Sequence, residues 1–175
     1  FLSGIYQPDL IQDKYLRIQI QDFYDKEKAV VEKSTLSSES NLRIIDSRNV
    51  KHFLDTLISK YKGKVVYIDF WGPWCSPCIR ELQFSKVLHE ELKGQDIVFV
   101  YLAARSNENA WKQAIVQKKI KGEHYLLNKE QEVYLLGKFS FSEFPHYALI
   151  GKDGFIYNKS TFPPSQKVEL MKEIN

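Results

Sequence analysis

Hydrophobic and polar positions change their period several times along the chain, and each change marks an element. Residues 65–71 form a near-continuous apolar run that stops at Gly72-Pro73, the pattern of a strand covered on both faces. Beyond it the apolar positions fall at helical intervals, with Cys78, Leu82, Ser85, Leu88 and Leu92 on one face. Ahead of it, residues 42–46 read as a first strand. Val50, Phe53, Leu54, Leu57, Ile58 and Tyr61 read as a helix whose end is marked by Lys62-Gly63. Residues 97–103 predict another buried strand, and Ser106-Asn107 can cap a helix through Trp111, Ala114, Ile115 and Ile120. A short strand at 124–127 and a short helix at 131–139 follow. Residues 147–150 and 155–157 predict a hairpin, because Asp153-Gly154 supplies the positive φ its turn needs. Ser165 is placed to cap a last helix ending at Ile174.

The order β-α-β-α-β-(α-β-α)-β-β-α predicts an α/β fold: a mixed central sheet with helices on both faces. Before it, residues 8–33 carry Ile11, Tyr15, Ile18, Leu16, Ile20, Phe23, Tyr24, Val30 and Val31 at mostly helical intervals. Pro8 suits a first helical position, so one or two amphipathic helices are expected. Their polar face mixes both signs of charge. That favours docking on the chain's own domain, or on an upstream one, over a membrane surface or a foreign partner. The Ser-rich stretch 34–40 reads as a flexible connector. The expected division is a helical extension with linker at 1–40 and a main domain at 41–175.

The chemistry is concentrated where the buried strand meets its helix. Cys75 and Cys78, the only two cysteines, form a C-x-x-C at that junction, which reads as a redox site rather than a structural bridge. At the helix N-terminus, unpaired N–H groups and the helix dipole favour a thiolate at Cys75, the nucleophilic form. Cys78, one turn later on the same face, can attack a mixed disulfide formed there, so Cys75 attacks and Cys78 resolves. Trp74 is expected to shield one side of the sulfurs. Pro77 fixes the first turn without needing an N–H. Asp69 is a lone carboxylate in the apolar run, placed behind the motif. Burial would raise its pKa into the range a proton carrier for Cys78 needs. The alternative is an Asp at a strand end meeting solvent or a backbone donor.

Asp69-Phe70-Trp71, Trp74-Cys75-Ser76-Pro77-Cys78 and Phe144-Pro145 resemble the thioredoxin superfamily. Gly63-Lys64-Val65-Val66, Arg80-Glu81 and Lys152-Asp153-Gly154 resemble, more narrowly, its TlpA/ResA-like thiol-disulfide oxidoreductases. The resemblance covers about residues 42–175. It implies a thioredoxin fold and an extracytoplasmic or periplasmic, envelope-tethered protein-disulfide reductase, with a cytoplasmic site disfavoured. The segment beyond a bare thioredoxin fold is then a central β-α insertion. The resemblance also implies that the Phe144-Pro145 bond is cis and packs on the C-x-x-C, leaving the backbone at Phe144 free to hold an extended substrate. Ser76, Pro77 and His146 join Trp74, Phe144 and Pro145 as expected substrate contacts. Glu81 lies where the family's glutamate is near the active site; the bland alternative is a first-turn Glu favoured by the helix dipole. Gln83 replaces a helix-kinking proline, so a straighter helix is expected.

Composition bounds the rest. With 175 residues, 43% hydrophobic and 14% aromatic, the chain can build a packed core. A net charge of +3 with interleaved signs argues against nucleic acid or an anionic membrane as partner. No stretch reaches transmembrane length, and the start at Phe1 without a signal peptide is expected of a processed chain or a fragment. His52, His89, His124 and His146 invite a metal test, because two thiolates and two imidazoles can hold zinc. No matching spacing exists, and His89, on the face of Cys78, is on the order of 16 Å away along the helix. No metal is expected. The expected cofactor is none beyond the Cys75-Cys78 disulfide itself. The expected partners are protein disulfides and a membrane or soluble thiol reductant. The remaining alternatives are a non-catalytic module that presents Phe144 to a partner, and a metal-binding C-x-x-C protein.

Overall fold

The structure, a computed structural model, describes residues 13, 15–19, 21–22, 40–44 and 50–174. The chain divides into two units, Phe1–Thr35 and Leu36–Asn175. In the first, residues 15–19 and 21–22 are helical. The Asp13 carboxylate accepts the N–H groups of Tyr15 and Leu16 at 2.8 and 3.0 Å, which caps that helix. The expected helix start at Pro8, the apolar positions from Phe23 to Val31, the connector at 34–39 and the strand end at 45–46 lie outside the described residues.

The second unit is built on a six-stranded mixed sheet. Its strands are β1 (Ser40–Ile44), β2 (Val65–Trp71), β3 (Ile97–Ala103), β4 (Gly122–Leu126), β5 (His146–Ile150) and β6 (Ile156–Asn158). Its helices are α1 (Val50–Lys60), α2 (Ser76–Glu91), α3 (Glu108–Lys118), α4 (Lys129–Phe139) and α5 (Lys167–Ile174). The order is β1-β4-β3-β2-β5-β6. Strands β1, β4, β3 and β2 run parallel, while β5 and β6 are antiparallel to their neighbours.

Alternation along β2 sorts the core into two layers. Tyr67 and Trp71 face one side with Cys78, Leu82 and Leu88 of α2, Trp111 and Ile115 of α3, and Leu170 of α5. Val66, Ile68 and Phe70 face the other, against Phe53, Leu54 and Leu57 of α1 and Leu135 and Phe139 of α4. Asp69 therefore points into the layer that contains the cysteines.

Several boundaries differ from the sequence reading. Ser40, assigned to the connector, is the first residue of β1: it pairs with Gly122, and its hydroxyl donates to the Ile120 carbonyl at 2.6 Å. Ile120 is not in α3. Lys119 turns left-handed (φ 50°) and ends the helix, and the Ile120 N–H returns to the Ile115 carbonyl at 3.0 Å, a Schellman closure. Helix α4 starts at Lys129, two residues earlier than expected, because Asn128 and Gln131 form a reciprocal capping box. Ser165 does not cap the last helix. It sits in a 3₁₀ turn, Pro164–Gln166, ahead of α5, and its donors are used elsewhere.

Candidate active site

The parallel strands β2 and β3 end at Trp71 and Ala103, and antiparallel β5 begins beside them, with Phe70 opposite His146. The turn after β2, the N-terminus of α2 and the segment before β5 therefore meet at one end of the central strands. Cys75 is the N-cap of α2, and its Sγ accepts the Cys78 N–H at 3.2 Å. That uses one of the helix's orphan donors and puts the dipole's positive end on the sulfur. The two sulfurs are joined in a disulfide, with a Cα–Cα separation of 5.2 Å. Both residues are buried, while Ser76 and Pro77 are exposed.

Gly72 makes room for the tryptophan beside them. A Cβ there would lie 2.7 Å from Cε2 of Trp74 and 3.0 Å from the Ala104 carbonyl. The indole folds back across this gap and donates from Nε1 to that carbonyl at 2.9 Å. Half-exposed, Trp74 meets Phe144 edge to face at 5.5 Å. The Phe144–Pro145 peptide bond is cis, and Phe144 lies just outside the β2–β5 ladder.

Asp69 sits within β2 rather than at its end, is 2% exposed, and its Oδ1 has no hydrogen-bond partner among the described residues. Burial, and secondarily the charge of Glu81, hold its carboxyl well above the ordinary carboxylate range. Tyr101 and Tyr147, its ladder partners on β3 and β5, are phenols pushed up first by burial and then by the same carboxylate. Glu81, one turn beyond Cys78, is clamped by Ser165, whose N–H and hydroxyl donate to its two oxygens at 3.0 and 2.9 Å. A cavity of about 310 Å³ opens among Pro77, Glu81, Pro145, Tyr147, Ser160 and Thr161.

His146, an expected substrate contact, does not turn its ring toward the cysteine layer. Strand alternation turns its ring to the opposite layer, stacked on Phe141 at 4.0 Å and near Phe70, with Nε2 on the Lys159 carbonyl at 2.6 Å. The residue still borders the cavity, and burial lowers its pKa. His89 bonds the Tyr101 hydroxyl at 3.2 Å and His124 the Ile120 carbonyl at 3.1 Å. Among the described residues no three His, Cys, Asp or Glu side chains group as metal ligands.

Two residues at the site escaped the sequence reading. Ser165 is one. The other is Arg105, whose guanidinium lies over the rings of Trp74 and Phe144 at 5.7 and 5.2 Å and bonds the buried Glu132 through Nε at 2.7 Å.

Comparison with known proteins adds an independent line. A family model described as thioredoxin-like matches residues 63–156. A thiol-disulfide oxidoreductase ResA of Bacillus cereus is 30% identical over 137 residues, 78% of this chain and 73% of the relative. ResA of Bacillus anthracis is 30% identical over 132 residues, 75% and 70% of the two chains. The thioredoxin domain of a Bacteroides vulgatus thiol-disulfide oxidoreductase superposes with a TM-score of 0.60 at 26% identity, covering 67% of this chain and 84% of that one. A putative thiol-disulfide oxidoreductase from the same organism, solved in solution, gives 0.59 at 30%, covering 66% and 74%.

Proposed function

The chain belongs to the thioredoxin-like family and is a thiol-disulfide oxidoreductase, and from that premise we propose that it is a protein-disulfide reductase working through Cys75 and Cys78. In this reading the Cys75 thiolate attacks a substrate disulfide, a Cys75–substrate bond forms, and the substrate's second sulfur leaves and takes a proton. Cys78 then loses its proton to Asp69 and attacks Sγ of Cys75, which expels the second substrate thiol and closes the internal disulfide. Two electrons pass to the substrate, and an external dithiol must restore the pair. Exchange of this kind needs no cofactor beyond the disulfide.

The observation that carries the reading is the placement of a buried carboxyl, Asp69, whose Oδ1 has no hydrogen-bond partner among the described residues, on the face of β2 that meets Cys78, beneath a helix N-terminus that carries Cys75. Trp74, Pro77, Phe144 and Pro145 surround the disulfide as surfaces for an extended substrate segment, with the residue before Pro145 open to pair with it. The family's setting supports an extracytoplasmic location. A solved relative of 24% identity and TM-score 0.53 is the exposed lipoprotein thioredoxin of Streptococcus pneumoniae. No helix of the described residues is long and apolar enough to cross a membrane.

The test is direct. Cys75→Ser should abolish reduction of a peptide disulfide, and Cys78→Ser should accumulate a mixed disulfide at Cys75, mapped by mass spectrometry. A mixed disulfide trapped at Cys78 in the reciprocal variant would overturn the assignment of roles.

A further inference from the structure

We propose that Arg105 is a specificity-determining residue that selects substrates with an acidic side chain beside the disulfide. The inference rests on the protein-disulfide reading above and adds the chemistry of the preferred substrate.

Arg105 is held in an unfavourable backbone conformation for a side chain of its size, φ 53°, and such positions persist only where surrounding contacts enforce them. The side chain presented from this backbone is held by Glu132. That residue is 4% exposed and comes from α4, in the segment between β4 and β5, and one of its oxygens accepts Nε of Arg105 at 2.7 Å. The ion pair fixes the guanidinium by its inner edge. The planar group is then spread over Trp74 and Phe144 within the distance at which a cation and an aromatic face attract.

What remains of the guanidinium is its outer edge. Among the described residues Nη1 and Nη2 have no hydrogen-bond partner, and the side chain is 46% exposed. A guanidinium with a fixed inner edge and two free terminal nitrogens has the fork that receives a carboxylate bidentately, with its rotamer freedom already lost before the substrate arrives. The nearby charges leave this edge positive. Glu132 is offset by Lys129 at 3.5 Å as well as by Arg105, and Glu143, next to Phe144 in sequence, makes no ion pair with Arg105 among the described residues.

Position gives the edge its function. The two rings beneath Arg105 are those flanking the disulfide, one just ahead of Cys75 and one just ahead of Pro145. A segment extended along Phe144 with its cystine sulfur at Cys75 passes the Arg105 edge with a neighbouring side chain. Asp or Glu there meets the fork; Lys or Arg there meets a like charge. If Arg105 served only to brace the two rings, it would need no exposed terminal nitrogens.

The experiment is single-turnover oxidation of the dithiol protein by three cyclic disulfide peptides that differ only in the residues flanking their cysteines: Glu, Gln or Lys. Wild type should react with the Glu peptide about threefold to tenfold faster than with the Gln peptide, and with the Lys peptide slowest. The spread should narrow at high salt. In Arg105→Asn, whose side chain tolerates a left-handed backbone, the Glu-to-Gln rate ratio should fall to about one. In Arg105→Lys it should fall only in part, because the charge remains and the fork is lost. Equal wild-type rates on all three peptides overturn the proposal without needing any variant to fold. So does an Arg105→Asn protein that slows on all three while keeping the ratio, which would leave only a bracing role. Failure of the wild-type dithiol to react with any peptide disulfide overturns the reductase reading, and this inference with it.

Discussion

The backbone N–H and the hydroxyl of Ser165 both donate to the carboxylate of Glu81, at 3.0 and 2.9 Å, across 84 residues of sequence. The clamp fixes a negative charge on the second turn of α2, where it raises the pKa of buried Asp69. Glu81→Gln should therefore lower the Asp69 pKa while leaving it elevated, because burial is the larger cause. The limb of the resolution rate that follows Asp69 ionisation should move to lower pH. Ser165→Ala should move it the same way by less, since one donor remains, at a cost of about 1 kcal/mol or below. Rapid-quench resolution of a preformed mixed disulfide across pH reads both. A limb that stays where it is in Glu81→Gln would remove Glu81 from the chemistry.

What the sequence disclosed and what it withheld follow from the range of the interactions. Asp69 stood out because a charge inside an apolar run has no cheap explanation, and the strand Ile97–Ala103 was bounded by abrupt changes in polarity. Asn128 and Gln131 carried a readable capping signal that periodicity alone passed over. Ser165 was misplaced because a Ser after two prolines looks like a helix cap, and nothing local points to Glu81. Arg105 was hidden in a polar string after a strand, and its partner Glu132 looked like any solvated helical residue until α4 folded over it. The extent of the cysteine layer was legible from spacing; which polar residues close its rim depended on contacts between distant elements.

Replacing Asp69 tests both its proton and its energetic role. The folded pKa lies above the ordinary 3.8, so the native state keeps a proton that the unfolded chain has already released. Wild-type stability should therefore be complete below about pH 4 and fall as pH rises toward the folded pKa. Asp69→Asn lacks this loss. Its unfolding free energy, read by urea titration, should match wild type near pH 4 and exceed it by pH 8, by about 1.4 kcal/mol for each tenfold displacement of proton affinity. Resolution of the mixed disulfide should slow by about 10²-fold or more at neutral pH. A variant that is less stable at pH 8 would place Asp69 among structural polar groups instead.

His124 sets the opposite limb. Fully buried, stacked on Tyr101 at 4.9 Å and bonded to the Ile120 carbonyl, it is pushed by burial from 6.5 down to about 4, with the charge of His89 adding to the fall and Glu123 opposing it. The unfolded chain binds this proton first. Stability should be complete above about pH 6.5 and decline as pH falls toward 4, by about 3 kcal/mol at most. His124→Gln should start from a lower neutral-pH stability yet show a flatter decline over that interval in urea titrations. A decline as steep as wild type would assign the acid limb to other groups.

The last expectation concerns direction of electron flow. The reduction potential follows how strongly the reduced form is stabilised at Cys75, and here the stabilising donors are few. Sγ of Cys75 accepts the Cys78 N–H, Pro77 has no N–H to offer, and Ser76 brings no positive charge. The nearby cation, Arg105, lies over Trp74 and Phe144 with Nε committed to Glu132. Glu81, one turn beyond Cys78, and Asp69 in the cysteine layer once it ionises, both oppose a further negative charge. The Cys75 pKa should then lie nearer the thioredoxin value of about 7 than the DsbA value of about 3.5. The potential should lie nearer about −270 mV than about −120 mV, so that the dithiol gives electrons to oxidised proteins. Equilibration against defined thiol buffers, followed by acid quench and alkylation, gives the potential, and the pH dependence of the alkylation rate of Cys75 gives the pKa. A potential near the oxidising end would mean that the helix terminus stabilises the thiolate far beyond what one backbone donor and two opposing carboxyls allow.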